Sequence, residues 1–155
     1  VSMGGFGAWS FVARHPDFFA AAAPICGGLP PSLDAAGLRG LLSVPLWVFH
    51  GANDTIIPVS QSDEAIRMLR QNYREENKDE AKGNRKEEGE KVVNDRSGDG
   101  GPAVADGPRT LRYTRYEKSP TPKGCKHMKG HAAWVQAYFE DGPALFAWML
   151  SFSKV

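Results

Sequence analysis

Apolar positions recur along this chain with two alternating periods, and each switch between them marks an element. From Gly5 to His15, the residues Phe6, Trp9, Val12 and Ala13 fall at helical spacing, and Pro16 ends the run because it cannot continue a helix. Phe19 to Cys26 is a continuous apolar run closed by Gly27 and Gly28. It predicts a buried strand that ends near Pro24, where a ladder hydrogen bond is forfeited. Val44 to His50 predicts a second buried strand, closed by Gly51. Ser60 and Asp63 match a capping box, and Ala65, Ile66, Met68 and Leu69 continue from it as a helix. Thr110 to Tyr116 alternates in the manner of a third strand. Helical patterns follow from Ala132 to Glu140 and from Pro143 to Phe152, with a break at Asp141, Gly142 and Pro143. Strands that alternate with helices predict a parallel sheet with helices on its faces, an α/β architecture.

The 155 residues suffice for about one domain, and 41% hydrophobic content gives it material for a core. Nineteen basic residues against 18 acidic ones leave a net charge of +1, so no global field draws the chain to nucleic acid or an anionic membrane. No apolar run approaches the roughly 18 residues of a membrane span. Two cysteines do not make a disulfide framework, which favours a reducing, cytoplasmic compartment.

Charge is concentrated between positions 74 and 108, where 17 of the 37 charged residues stand and no aromatic residue does. Such a stretch cannot bury enough apolar area to offset the entropy of ordering it. It is expected to be a surface insertion, helical near 74–91 and structureless after that, with docking of a protein partner as its functional alternative. The organisation expected is therefore residues 1–73 and 109–155 as one partial α/β domain, interrupted by the insertion at 74–108.

Parallel sheets carry their ligands at the carboxyl ends of the strands, and three candidates for chemistry stand in the loops there. Ser2, in VSMGG before the first helix, fits the x-S-x-G part of a nucleophile elbow. Small neighbours let the strand turn sharply into the helix, exposing the hydroxyl and aiming the next N–H, that of Met3, at a developing oxyanion. A glycine-flanked serine is also an ordinary turn. Asp54 follows the second strand, where a carboxylate can hold a histidine ring; taken alone it reads as an Asx turn or helix cap. His131, in KGHAAW, is placed to act as a general base, or is a surface histidine near a helix start.

His127 competes with His131 for the base. Cys125, His127 and His131 have a spacing that suggests a metal, but zinc sites add a second close ligand pair, which this sequence lacks. Cys26 reads as a core residue and Cys125 as an incidental thiol of a basic loop. His50 reads as a residue that holds its loop and His15 as solvent-facing. Trp9, Trp47, Trp134 and Trp148 read as packing residues, with Trp134 also close to the site because it lies one helical turn from His131.

The three candidates occur in the order serine, aspartate, histidine, the chain order of the α/β-hydrolase triad. The segments VSMGGFGAW, AAAAPICGG, VPLWVFHGANDTIIPVSQS and GHAAW resemble that superfamily. They are most similar to its esterase, phospholipase/carboxylesterase and predicted-peptidase branch, related to polyhydroxyalkanoate-depolymerase-like and dienelactone-hydrolase-like enzymes. The resemblance covers the chain outside the charged insertion. It implies Ser2 as nucleophile, Asp54 as acid and His131 as base in a cofactor-free transfer of an acyl group from an ester, thioester or peptide substrate to the serine and on to water. It also implies that the chain is the C-terminal half of such a fold. The first half of the sheet, the strand leading into Ser2 and the loop that gives the second oxyanion donor would then precede Val1. A non-catalytic protein that keeps the fold and binds partners through the insertion is the alternative.

Overall fold

The computed structural model describes residues 1–78 and 110–153. Its elements, in chain order, are α1 (Met3–Arg14), a 3₁₀ turn (Pro16–Phe18), α2 (Ala35–Leu42), β1 (Leu46–Gly51), α3 (Ser60–Glu76) and β2 (Leu111–Tyr116). After these come a single turn α4 (Ala133–Val135), which widens into a π-helical stretch (Gln136–Glu140), and α5 (Gly142–Leu150). β1 and β2 pair in parallel, with Leu46 opposite Leu111 and Gly51 opposite Tyr116.

The apolar run before β1 lies alongside it but is not a regular strand. Ala22 and Ile25 form isolated parallel bridges to Leu46 and Phe49. The N–H groups of Ala22 and Cys26 donate to Pro45 O and Phe49 O, while Trp47 and Phe49 donate back to Ala22 O and Pro24 O. One rung is missing in the middle because Pro24 has no N–H to give. The strand expected over Phe19 to Cys26 is thus a broken ladder along the free edge of β1.

Alternation along β1 feeds two cores. Leu46 and Val48 face a cluster with Trp9, Val12, Leu41, Ile66 and Leu69, so α1, α2 and α3 cover that face. Phe49 faces Ile25, Tyr116, Ala133, Leu145 and Trp148, so the C-terminal helices cover the other. A sheet buried on both faces explains why β1 reads as a continuous apolar run. Trp9 and Trp148 are buried, whereas Trp47 and Trp134 keep partial exposure.

Three further details depart from the sequence expectation. α2 was not foreseen; Asp34 caps it by accepting from Gly37 N at 2.8 Å. The capping box at the start of α3 is not formed, since the N-cap is Val59 and no side chain caps it. Pro58 O and Val59 O take the first-turn donors of Gln61, Ser62 and Asp63, and this frees Asp63 to bind Tyr113 Oη at 2.6 Å and Arg115 Nε at 3.3 Å. The helix expected over Ala132 to Glu140 changes pitch after Val135, where Asp141 N reaches back to Gln136 O at 3.0 Å.

Of the insertion expected at 74–108, positions 74–76 complete α3, and everything from 79 onward lies outside the described residues. Among the described residues, no helix is long and apolar enough to cross a membrane.

Candidate active site

Ser2 is the N-cap of α1 and holds φ 57°, ψ −125°, a left-handed conformation that a side chain rarely adopts. Serine at an N-cap ordinarily turns its hydroxyl onto the helix N–H groups, but this one makes no capping bond. Its Oγ lies 2.9 Å from His131 Nε2 instead. The turn is fixed from below by two glycines. A Cβ on Gly5 would stand 2.5 Å from Ile25 O, and one on Gly27 would stand 2.6 Å from the carbonyl carbon of Gly5. Backbone therefore packs on backbone, and Ser2 N–H donates to Ile25 O at 3.0 Å. Met3 N–H, first in α1, has no intrahelical acceptor, and the first turn of α1 carries no acidic residue to offset its positive end. The Met3 side chain itself is exposed.

Asp54 is reached by the turn that follows β1, and its two oxygens do different work. Oδ1 accepts from Ile56 N at 2.8 Å and Ile57 N at 3.0 Å, which is the Asx turn that the sequence allows. Oδ2 lies 2.7 Å from His131 Nδ1. Both side chains are withdrawn from solvent. Because a carboxylate oxygen only accepts, Nδ1 carries the ring proton, which leaves Nε2 bare and facing the Ser2 hydroxyl. Trp134 stands edge-on to the His131 ring at 5.7 Å between centroids and closes one side of it.

The loop that brings His131 to Asp54 is stapled to the loop after β1. Ser119 N donates to Asn53 Oδ1 at 2.7 Å, and Asn53 Nδ2 donates to Ser119 O at 3.2 Å. The N–H and Oγ of Thr55 both donate to Lys129 O at 3.0 Å. Gly130 holds φ 71°, and a Cβ there would meet the backbone of Asn53, so only glycine lets the two loops close. In the sequence Asn53 reads only as a turn former beside Asp54, and Ser119, Thr55 and Lys129 carry no signal. Gly130 stood in the open, immediately before the histidine.

The remaining candidates lie elsewhere or play other parts. His127 is exposed and makes no contact with Ser2 or Asp54 among the described residues. His15 is exposed and rests against the rings of Phe11 and Phe18. His50 is buried behind Asp54, with Nε2 3.0 Å from Ile57 O and Nδ1 2.7 Å from Ser62 Oγ. Cys26 is buried too, and burial together with the neighbouring Asp54 pushes its thiol up to about 12. Its sulfur, Asp54 and His131 offer ligand atoms within 4.8 Å of one another. For a metal the set is poor, since Asp54 and His131 are bonded to each other and the thiol keeps its proton at neutral pH. Cys125, in the loop before His131, is partly exposed.

No protein-family model matches the sequence, and comparison with curated proteins finds no match. Among solved structures, the chain is similar to a thermostable esterase, at 29% identity and a TM-score of 0.59 over 99% of its own length. It spans 30% of that esterase's chain. Together with the parallel strands and the helices on both faces, the likeness supports an α/β-hydrolase-like fold for this chain.

Proposed function

We propose that this chain carries the nucleophile, base and acid of a serine hydrolase, Ser2, His131 and Asp54, acting on a carboxylic ester, thioester or peptide bond. The observation that carries the reading is the His131 ring, which bridges Asp54 Oδ2 and a serine hydroxyl diverted from its helix cap. The similarity to an esterase structure and the sequence resemblance to the esterase, phospholipase/carboxylesterase and predicted-peptidase branch of the α/β-hydrolases support the same reaction.

In this reading Ser2 Oγ attacks the carbonyl carbon while its proton passes to His131 Nε2. Asp54 Oδ2 holds the ring in the tautomer that can take the proton and stabilises the imidazolium that forms. The negative charge that develops on the carbonyl oxygen is met by Met3 N–H and the positive end of α1. A second donor in this fold comes from a loop that precedes the elbow in chain order. The tetrahedral intermediate collapses as His131 returns the proton to the leaving oxygen, sulfur or nitrogen. Water then attacks the acyl-serine by the same route in reverse, releasing the acid and restoring the Ser2 hydroxyl.

Hydrolysis of short-chain p-nitrophenyl esters by the full-length protein tests this. Ser2→Ala and His131→Ala should each remove most of the rate, by about 10⁴-fold or more, because the groups act as a unit. A folded protein with no esterase, thioesterase or peptidase activity contradicts the reading.

A further inference from the structure

The reaction described above leaves a second histidine at the site without a part. His50 is the residue before the end of β1 and is wholly buried. Its Nε2 lies 3.0 Å from Ile57 O and 3.5 Å from Asp54 Oδ2, the oxygen that also receives His131. Its Nδ1 lies 2.7 Å from Ser62 Oγ, on the first turn of α3, and that hydroxyl lies 2.8 Å from Gly27 O. Gly27 in turn is packed backbone to backbone on Gly5, under the Ser2 turn. One ring thus touches the loop of the acid on one side and, through Ser62, the support of the nucleophile on the other.

The ring's protonation follows from its partners. Ile57 O can only accept, so Nε2 carries the proton. The charged or titratable groups around the ring are Asp54 in its own loop, Asp63 on α3 and His131 across the site; burial outweighs the two carboxylates and holds His50 neutral. Nδ1 is therefore bare and competes with Gly27 O for the single hydroxyl hydrogen of Ser62. The Nε2–H also presents a positive edge to Asp54 Oδ2. At 3.5 Å this is a weak electrostatic contact, not a full hydrogen bond.

We infer that His50 is a positioning residue for the acid and, through it, the base: its Nε2–H, held on Ile57 O beside Asp54 Oδ2, fixes the Asp54 turn and so the oxygen on which His131 is held. The inference rests on the hydrolase reading of this site. It distinguishes the two ring nitrogens, and two substitutions separate them. Glutamine can keep a donor where Nε2 stands, whereas asparagine reaches only as far as Nδ1. His50→Asn should lower kcat by about 10- to 100-fold with KM nearly unchanged, the size expected for displaced catalytic groups. His50→Gln should restore most of kcat.

Histidine-selective ¹⁵N NMR on the unsubstituted protein reads the same point without turnover, and should show His50 neutral with its proton on Nε2. A proton on Nδ1, or equal kcat in the two variants, overturns the inference. If no hydrolysis is detected at all, the hydrolase reading fails, and the spectra still decide which nitrogen of His50 carries the proton. Should His50→Asn fail to fold, the tautomer of the unsubstituted protein and the kcat of His50→Gln carry the decision: a proton on Nε2 with kcat near the parent's supports the inference, and a proton on Nδ1 or a loss of about tenfold in His50→Gln overturns it.

Discussion

His131 Nδ1 and Asp54 Oδ2 stand 2.7 Å apart although 77 positions separate them in the chain. The pair joins the turn after β1 to the loop after β2, two places that a parallel sheet brings side by side at its carboxyl end. Asp54 serves both the local turn and the long-range partner because a carboxylate has two oxygens, and Oδ1 is already satisfied by Ile56 and Ile57 N–H. The Asx turn and the bond to a histidine, alternatives in the sequence, occur together in the structure on one side chain.

The glycine contact under the Ser2 turn gives a first prediction. Gly5→Ala pushes a methyl group against the carbonyl of Ile25, a backbone atom that cannot step aside. The substitution should cost about 1–3 kcal/mol in denaturant unfolding. If the hydrolase reading holds, activity should fall further than stability does, because α1 and Ser2 move together. A variant as stable as the parent would show that the helix start is more loosely seated than described.

Strain at Ser2 gives a second. A residue at φ 57° with no capping bond stores conformational energy that its hydroxyl does not recover locally. Ser2→Gly should therefore be more stable than Ser2→Ala by about 1 kcal/mol, while neither variant hydrolyses ester. Thermal melts of the two variants give the order. Equal stability would place no strain in the turn.

A third prediction concerns the staple between the loops. Asn53→Ala deletes both bonds to Ser119 and leaves a half-buried N–H and carbonyl unpaired. A loss of about 1–3 kcal/mol is expected, together with a fall in kcat, because the staple holds the Asp54 and His131 loops in register. Chemical denaturation and steady-state kinetics measure the two effects.

The titration of the buried groups sets a fourth. Burial depresses His50 below its ordinary value of 6.5, so on acidification the unfolded chain takes up a proton that the folded one refuses. Stability should then fall as pH drops below about 6.5, and His50→Gln should flatten that slope. Cys26 has the opposite limb. Its thiol is raised from 9.0 to about 12, so its contribution is fully present below 9 and is lost as pH rises towards 12. At pH 8, iodoacetamide should accordingly modify Cys125 well before Cys26.

Much of this site could be read from the sequence because the features that carry it are local. Ser2 precedes a helix, Asp54 follows an apolar run and His131 follows a glycine; each is a weak signal from its immediate neighbours, their chain order and the family resemblance join them, and the structure brings the three side chains within hydrogen-bond distance. What escaped depends on contacts distant in sequence. Asn53 and Ser119 are ordinary loop residues until β1 and β2 pair, and Ser62 is an unremarkable helix residue until His50 is placed against it. α2 was missed although Asp34 and its leucines are visible, because the Pro30–Pro31 pair and Gly37 and Gly40 dilute the helical pattern. The run over Phe19 to Cys26 was recognised as strand-like, and its single proline reduced it to two bridges. The pitch change after Val135 has no sequence signature that periodicity could register.

Covalent labelling asks whether Ser2 is a nucleophile activated by His131. The full-length protein is treated with a fluorophosphonate probe, digested, and the modified residue located by mass spectrometry. Phosphonylation at Ser2 should be rapid in the parent, abolished by Ser2→Ala and strongly slowed by His131→Ala. A folded protein that remains unlabelled at Ser2, or is labelled there equally fast without His131, would contradict it.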